Sequence, residues 1–390
     1  MRAGEADVFH TRQQHTLKVA QVGRRLAQRC FRDQAQSCAA LGVDENVVEA
    51  ACLSHDLGHP PFGHIGEHAL DHLTVKAGDP DGFEGNAQSF RVLTKLAVRF
   101  QEGSGLDLTR AVLAACVKYP WLRDSGDPNK RTKWGAFRCD IEDFQFARYG
   151  LKDEWKTAEA EMMDWADDIA YSVHDLEDFH RCRGIPWLAI FDGSAGERLI
   201  AGAIKRWHAG PHDAEGRLRE AMRRLKSVFF GSFRALMHEP YEASREQRQQ
   251  LRTMTSTLTA RYITAFNLKA ENEIDPSGKN VAISDKEADE VKVLKQITWD
   301  YIINSPSLVA QQAGQERIIK SLYWSIFRKS KDGYPAFLPT RLRYLWDLQS
   351  NSVPRFTADC IASLTESEAT GLYSRLQGLS SGSVLDPIVR

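Results

Sequence analysis

The sequence predicts a mostly α-helical fold with a small β-hairpin. Along most of the 390-residue chain, apolar residues recur every three or four positions, which is the period of an amphipathic helix. Hydrophobic residues make up 42% of the chain and charged residues 26%, as in ordinary globular proteins. Because the chain is too long for one ordinary core, we expect more than one subdomain.

Six segments have helical periodicity, and Gly58 with the Pro60–Pro61 pair must end the second of them. Asp44 is the predicted N-cap of that helix. The polar stretch 123–133 predicts a mobile loop, and residues 275–284 predict a turn and a short hairpin. The helical segments are 14–30, 45–57, 63–69, 86–101, 107–118 and 157–182.

A change of character after residue 185 suggests a domain boundary. Residues 1–185 are dense in motifs, whereas residues 186–390 have helical periodicity but contain fewer motifs. We therefore expect an N-terminal region that carries the chemistry and a separate C-terminal helical region.

Composition argues against several classes of protein. The formal net charge of -1 gives no global field for nucleic acid or membranes. No run approaches the roughly 18 apolar residues of a membrane span, and the N-terminus lacks the apolar core of a secretory signal. The seven cysteines form no CxxC pair, which fits a reducing cytoplasm. A cytoplasmic protein without membrane contact is predicted.

The chemistry concentrates in residues 55–68, which hold four of the twelve histidines beside Asp56 and Glu67. Imidazole nitrogens and carboxylate oxygens together suit a divalent ion such as Mg, Mn, Fe, Co, Ni or Zn. Further ligands must come from other helices. The first predicted helix offers His15, and the last offers Asp167 or its neighbour Asp168.

Several of these motifs together resemble the HD superfamily, and more closely the deoxyguanosinetriphosphate triphosphohydrolase-like family of dNTPases. The similar segments are HTRQQHTLKVAQVGRRLA (10–27), HDLGHPPFGHIGEHAL (55–70), FEGNAQSFR (83–91), KYPW (118–121), WADDIAYSVHDLED (165–178) and PRFTADCIASLTESEATGLYSRL (354–376). The resemblance implies an HD-domain helical core in residues 1–185 and an HD-associated helical region in 186–390 that serves oligomerisation or regulation. It also implies a homo-oligomer, a tetramer or hexamer.

The resemblance also implies a site and a reaction. The chain would convert a deoxynucleoside triphosphate into deoxynucleoside and inorganic triphosphate. One divalent metal ion would be held by His15, His55, Asp56 and Asp167. The predicted catalytic residues are His64, Glu67 and His59: His64 and Glu67 would be the acid/base or water-positioning pair, and His59 would touch the phosphate or the leaving oxygen. The substrate would contact Arg12, Lys118, Tyr171 and Asp175. The four-residue spacing from Asp167 to Tyr171 and Asp175 follows the family pattern and favours Asp167 over Asp168, which would turn to a neighbouring helix or a basic side chain.

The sequence also allows other functions. The chain could be another HD nucleotide phosphohydrolase, acting on monophosphates, cyclic nucleotides or guanosine tetraphosphate. It could also be a catalytically silent module for nucleotides or single-stranded nucleic acid. The arginine-rich stretch 217–252 is either a solvated face or a site for an effector nucleotide or single-stranded nucleic acid. Arg355 and Asp359 could pair within one helix or reach another subunit.

Family members usually carry an arginine-rich region upstream, whereas the first motif here begins at residue 10. We therefore expect a shortened reading frame or a compact variant, with consequences for base specificity.

Overall fold

A computed structural model describes residues 12–101, 105–182, 185–206, 213–238, 240–270, 273–274, 278–303, 306–348 and 352–380. The chain folds into two compact units, each built from two separate stretches of sequence. Unit 1 comprises Met1–Leu53 and Lys156–Leu308, and unit 2 comprises Ser54–Trp155 and Val309–Arg390. The predicted boundary at 185/186 rests on motif content and stays a prediction.

In its described residues, unit 1 is helical apart from one pair of strands. Its helices are α1 (Arg12–Asp33), α2 (Ala35–Leu41), α3 (Glu45–Ser54), α9 (Ala158–Arg181), α10 (Trp187–Asp192), α11 (Ser194–Arg206), α12 (Ala214–Ser232), α13 (Arg234–His238), α14 (Arg245–Thr264) and α15 (Asp285–Thr298), the last continuing as a π-turn, Trp299–Ile303. Strands β1 (Phe266–Leu268) and β2 (Val281–Ile283) are antiparallel, with Asn267 opposite Ala282.

Unit 2 is also mainly helical among its described residues, with irregular connections and two isolated β-bridges, Val98–Gly105 and Leu122–Ala136. Its elements are α4 (His64–Lys76), α5 (Gly85–Arg91) with a π-turn (Val92–Leu96), α6 (Arg110–Cys116), α7 (Pro128–Thr132), a 3-10 turn (Arg138–Asp140), α8 (Ile141–Arg148), α16 (Pro306–Ser330), a second 3-10 turn (Thr340–Leu342), α17 (Tyr344–Asp347), α18 (Val353–Ala362) and α19 (Glu366–Leu376). The predicted mostly α fold with a small hairpin is confirmed. Within the described residues, no helix is long and apolar enough to cross a membrane.

In unit 1, α1 lies along α9. The apolar stripe predicted for residues 14–30 is largely buried, with Val19, Val22 and Leu26 inside and only Leu17 exposed. Gly23 lets α3 approach this stripe, because a Cβ at that position would lie 2.4 Å from Cys52 Sγ.

In unit 2, apolar faces of α4, α16, α18 and α19 share one core. Among its residues, Leu70, Leu322, Tyr323 and Phe356 are at most 1% exposed to solvent. This core anchors α4, the helix that begins with the histidine-rich motif, on the C-terminal helices of the same unit.

A buried ion cluster joins α5 to α18. The Arg91 guanidinium donates to both Asp359 oxygens at 3.0–3.2 Å and to Asp140 at 2.6 Å, and all three side chains are fully buried. Burial lowers the pKa of Arg91, but Asp359 and Asp140 outweigh burial and hold it above its ordinary value. Arg355 instead bonds Asp79 at 2.9 Å, so the suggested pairing of Arg355 with Asp359 is wrong.

Several predicted helix ends are wrong by a few residues. The helix predicted over 45–57 ends at Ser54, although Asp44 does cap it by accepting from the Asn46 N–H at 2.7 Å. The helix predicted to end at Ala69 continues to Lys76, and the one predicted over 86–101 widens into a π-turn that ends at Leu96.

One predicted loop and the predicted hairpin also differ from the structure. The loop predicted over 123–133 contains α7, whose N-cap is Asp127. The hairpin predicted over 275–284 has its second strand at Val281–Ile283, but β1 lies upstream of the predicted turn. Residues 275–277 lie outside the described residues.

Candidate active site

The turn after α3 presents the His55–Asp56 pair. The Leu57 N–H bonds the Ser54 carbonyl and the His59 N–H bonds the Asp56 carbonyl, both at 3.2 Å, so the helical ladder stops. The His55 carbonyl accepts from the Ser89 hydroxyl at 3.1 Å. His55 and Asp56 therefore lie in a turn, not in the last helical turn that the sequence suggested.

His64 opens α4 and is fixed by a carboxylate one turn later. Its Nδ1 lies 3.0 Å from Glu67 Oε2; the His64 side chain is 73% exposed and that of Glu67 only 8%. With Nδ1 held by Glu67, the ring offers Nε2 to a ligand. A buried acceptor thus orients an exposed imidazole, which is the arrangement of a positioned acid/base group.

The Glu67 carboxylate also meets Lys133, whose Nζ lies 2.8 Å from Oε1. The Gly85 N–H donates to the same oxygen at 3.3 Å. Burial raises the pKa of Glu67, but the hydrogen bond from His64 and the charges of Lys133 and His59 outweigh burial and hold that pKa well below its ordinary value. Glu67 is therefore a carboxylate, not a carboxylic acid, at neutral pH.

Lys133 bridges two acids, because its Nζ also lies 2.7 Å from Glu84 Oε1. Glu84 caps α5 by accepting from the Asn86 and Ala87 N–H groups. Its complete burial raises its pKa, and Lys133 opposes that rise. Sequence reasoning missed Lys133, because one lysine at the end of a polar stretch looks like any solvated loop residue.

His59 lies beside this pair. Its Nε2 is 3.9 Å from Glu67 Oε2, and its Nδ1 is 3.4 Å from Asp56 Oδ1. Donor atoms of His59, His64 and Glu67 all lie within 4.8 Å of one another. The structure thus brings the three predicted catalytic residues together, and their mixed N/O donors could also hold a divalent ion.

The four predicted metal ligands form two close pairs. His15 Nε2 lies 3.2 Å from Asp167 Oδ1, and His55 Nε2 lies 3.4 Å from Asp56 Oδ2. Neighbouring ligands at about 2.1 Å from a metal, separated by roughly 90–110°, lie about 3.0–3.4 Å apart. Each pair therefore has the chemistry and spacing of two adjacent ligands, and a divalent ion fits either pair.

Asp168 is engaged elsewhere. It forms an ion pair with Lys295 of α15, so the predicted turn of Asp168 toward a basic side chain is confirmed. The same Lys295 ammonium lies 5.9 Å from the centre of the Tyr171 ring. Sequence reasoning missed Lys295 because its helix matches none of the motifs.

Tyr171 and Asp175 follow Asp167 along α9, and both are half-buried. Burial, then the negative charge of Asp175, raises the pKa of the Tyr171 hydroxyl. The hydroxyl therefore stays protonated at neutral pH.

The two predicted phosphate contacts lie in different elements. Arg12 begins α1 and is exposed, while Lys118 is half-buried in the turn after α6. The roles of these residues stay predictions.

The arginine-rich stretch 217–252 divides into two parts. On α12, Arg217, Arg219 and Arg224 pair with acids of neighbouring helices, and Phe229 packs into the core. On the first turns of α14, the arginines form no such pairs with described residues.

Comparison with known families gives two matches. A family model described as "HD domain" matches residues 12–172. A second, described as "Phosphohydrolase-associated domain", matches residues 281–375.

Several relatives are named "Deoxyguanosinetriphosphate triphosphohydrolase-like protein". The one from Streptomyces coelicolor is 35% identical, across 94% of this chain and 84% of its own. The one from Bifidobacterium longum is 32% identical, across 96% and 77%. A Haemophilus influenzae relative is 26% identical, across 96% and 86%. The chain is thus an HD-domain phosphohydrolase, and it belongs to the deoxyguanosinetriphosphate triphosphohydrolase-like family.

Proposed function

We propose that this phosphohydrolase cleaves a deoxynucleoside triphosphate, dGTP or another dNTP, at the α-phosphate. The products would be the deoxynucleoside and inorganic triphosphate. The observation that carries the proposal is the exposed His64 imidazole, whose Nδ1 is held at 3.0 Å by the buried Glu67 carboxylate. The names of the relatives support a deoxynucleoside triphosphate as the substrate class.

The proposed metal ligands are His15, His55, Asp56 and Asp167. Their donor types and the pairwise spacings of 3.2 and 3.4 Å support this assignment. A divalent ion supplies Lewis acidity toward water and toward a phosphoryl oxygen.

Side chains of the protein would carry out the proton transfer. With Glu67 accepting the Nδ1–H of His64, the lone pair on Nε2 takes a proton from the attacking water. The Glu67 charge stabilises the imidazolium that forms. Lys133 keeps that carboxylate charged and in place through its 2.8 Å contact. As water bonds to the α-phosphorus, the bond to the 5′-oxygen breaks, and the leaving oxygen takes up a proton. His59, 3.9 Å from Glu67, is the second group proposed beside the phosphate or the leaving oxygen.

Substrate selection is assigned to α9 and to two cations. The Tyr171 ring would pack under the sugar, where its bulk disfavours a 2′-hydroxyl. Asp175 would accept a hydrogen bond from the 3′-hydroxyl. Arg12 and Lys118 would contact the phosphate chain, whose charge calls for such cations.

The test is a panel of dNTPs with Mg, Mn or Co, scored for tripolyphosphate. We expect wild-type protein to release tripolyphosphate and His64→Ala to lose about 10²–10⁴-fold in turnover. His72→Ala is the matched control, because His72 is an exposed histidine on the same helix and should keep full activity.

Three outcomes would contradict the proposal. Orthophosphate released from monophosphates or an opened cyclic ester would identify another HD phosphohydrolase. Nucleotide binding without any turnover would identify a silent module. Equal loss in His64→Ala and His72→Ala would remove His64 from the chemistry.

The homo-oligomer, the cytoplasmic location and an effector that binds elsewhere stay predictions from the sequence.

A further inference from the structure

We propose that the first turns of α14 form a second anion site, which binds a linear chain of phosphates. A cavity of about 540 Å³ lies against this helix in unit 1. The residues that line it among the described part of the chain are Arg245, Arg248, Gln249, Arg252, Thr253, Ser256 and Thr257.

All seven lining side chains can donate hydrogen bonds, and none is a carboxylate. Arg245, Arg248 and Arg252 are exposed and form no ion pair with any described residue. Their spacing of three and four residues places them on one helical face over about 10 Å. Nearby acids in sequence, Glu242 and Glu246, do not line the cavity.

The position of these charges in the helix points to an anion. Arg245 and Arg248 lie in the first turn of α14, where the helix dipole already presents its positive end. Cations there are unfavourable, and a bound anion would relieve that repulsion. Arginine forks match phosphate oxygens two at a time, and the neighbouring hydroxyls would bind the remaining oxygens.

The lining favours phosphates without a base. Single-stranded nucleic acid binds through aromatic side chains on which its bases stack, and no aromatic residue lines this cavity among those described. Phe229 and Phe233 are buried. The ligand we infer is therefore the phosphate chain itself, either free triphosphate or the triphosphate of a nucleotide whose nucleoside points into solvent.

Calorimetric titration of the full chain with sodium tripolyphosphate in EDTA, at low and raised ionic strength, tests this site. We expect binding that weakens with salt and that falls at least tenfold in R248Q/R252Q. The matched control is R223Q/R234Q, which removes the same charge from two exposed arginines of α12 and α13 and should bind like wild type.

Further titrations with ATP and with oligo(dT) identify the source of the phosphates. If ATP binds as tightly as tripolyphosphate, the site does not contact the nucleoside. If ATP binds much more weakly, the site is specific for free triphosphate. Either result supports the proposed site. The proposal is overturned if tripolyphosphate does not bind, if R248Q/R252Q retains wild-type binding, if the control loses as much, or if oligo(dT) binds these arginines in preference. Because no substrate is present, none of these results depends on dNTP hydrolysis.

Discussion

Lys133→Met removes the cation that bridges Glu67 and Glu84 at 2.8 and 2.7 Å. Methionine keeps most of the side-chain volume, so the change isolates the charge. Two buried carboxylates are then left side by side. Breaking a buried ion pair from one side typically costs about 3–5 kcal/mol. Because the Lys133 side chain is still 35% exposed, solvent screens part of this, and we expect about 2–3 kcal/mol.

The loss should depend on pH in a defined direction. Burial already raises the pKa of Glu84 in the folded protein, and loss of the Lys133 charge raises it further. A carboxyl group with a raised folded pKa destabilises the fold once the pH exceeds its ordinary, unfolded value, and the penalty grows up to the folded pKa. The free energy of unfolding of Lys133→Met should therefore fall further below wild type at about pH 8 than at about pH 5.

Urea unfolding at both pH values measures this difference. Lys130→Met is the matched control, because Lys130 lies three residues earlier and pairs with Glu154 at the surface. We expect this control to stay close to wild type at both pH values. A Lys133→Met variant with the same loss at both pH values, or as stable as Lys130→Met, would refute the reasoning.

The remaining predictions concern the turn that holds His55 and Asp56, and whether Asp167 or Asp168 binds the metal. Gly58→Ala should lower the free energy of unfolding by about 1–3 kcal/mol, because a Cβ there would lie 2.1 Å from the Ser89 backbone nitrogen; unchanged thermal unfolding would contradict this. Asp167→Asn should weaken binding of Mn, measured by metal analysis, more than tenfold, whereas Asp168→Asn should retain the metal and lose only the ion pair with Lys295. The reverse order would reassign the ligand.

Local signals in the sequence were sufficient for much of the fold. The Asp44 cap depends on a residue two positions away, and the apolar stripe of α1 depends on residues three or four apart, so local spacing reveals both directly. The end of α3 could not be predicted, because it is shaped by Ser89, which lies 34 residues beyond His55 and binds its carbonyl.

The same distinction holds at the site. His64 and Glu67 are neighbours on one helical turn, so their spacing alone suggested a pair. Lys133 lies 66 residues after Glu67 in the sequence, in a stretch with no periodic pattern. Spacing therefore could not reveal that the two side chains are in contact. Arg355 and Asp359 illustrate the converse error, because each finds a partner more than 260 residues away instead of the other.

The Arg91 cluster has a consequence for how the chain is made. During synthesis, Arg91 and Asp140 leave the ribosome early, but Asp359 follows only after roughly 200 more residues, or about 10–40 s at 5–20 residues per second. For that interval the nascent segment Ser54–Trp155 lacks the carboxylate that neutralises its buried guanidinium. It also lacks the apolar surface of α16, α18 and α19. The histidine-rich turn is thus translated early but can acquire its final support only when the C-terminal helices have emerged, and until then we expect the exposed apolar surface of this segment to be prone to aggregation.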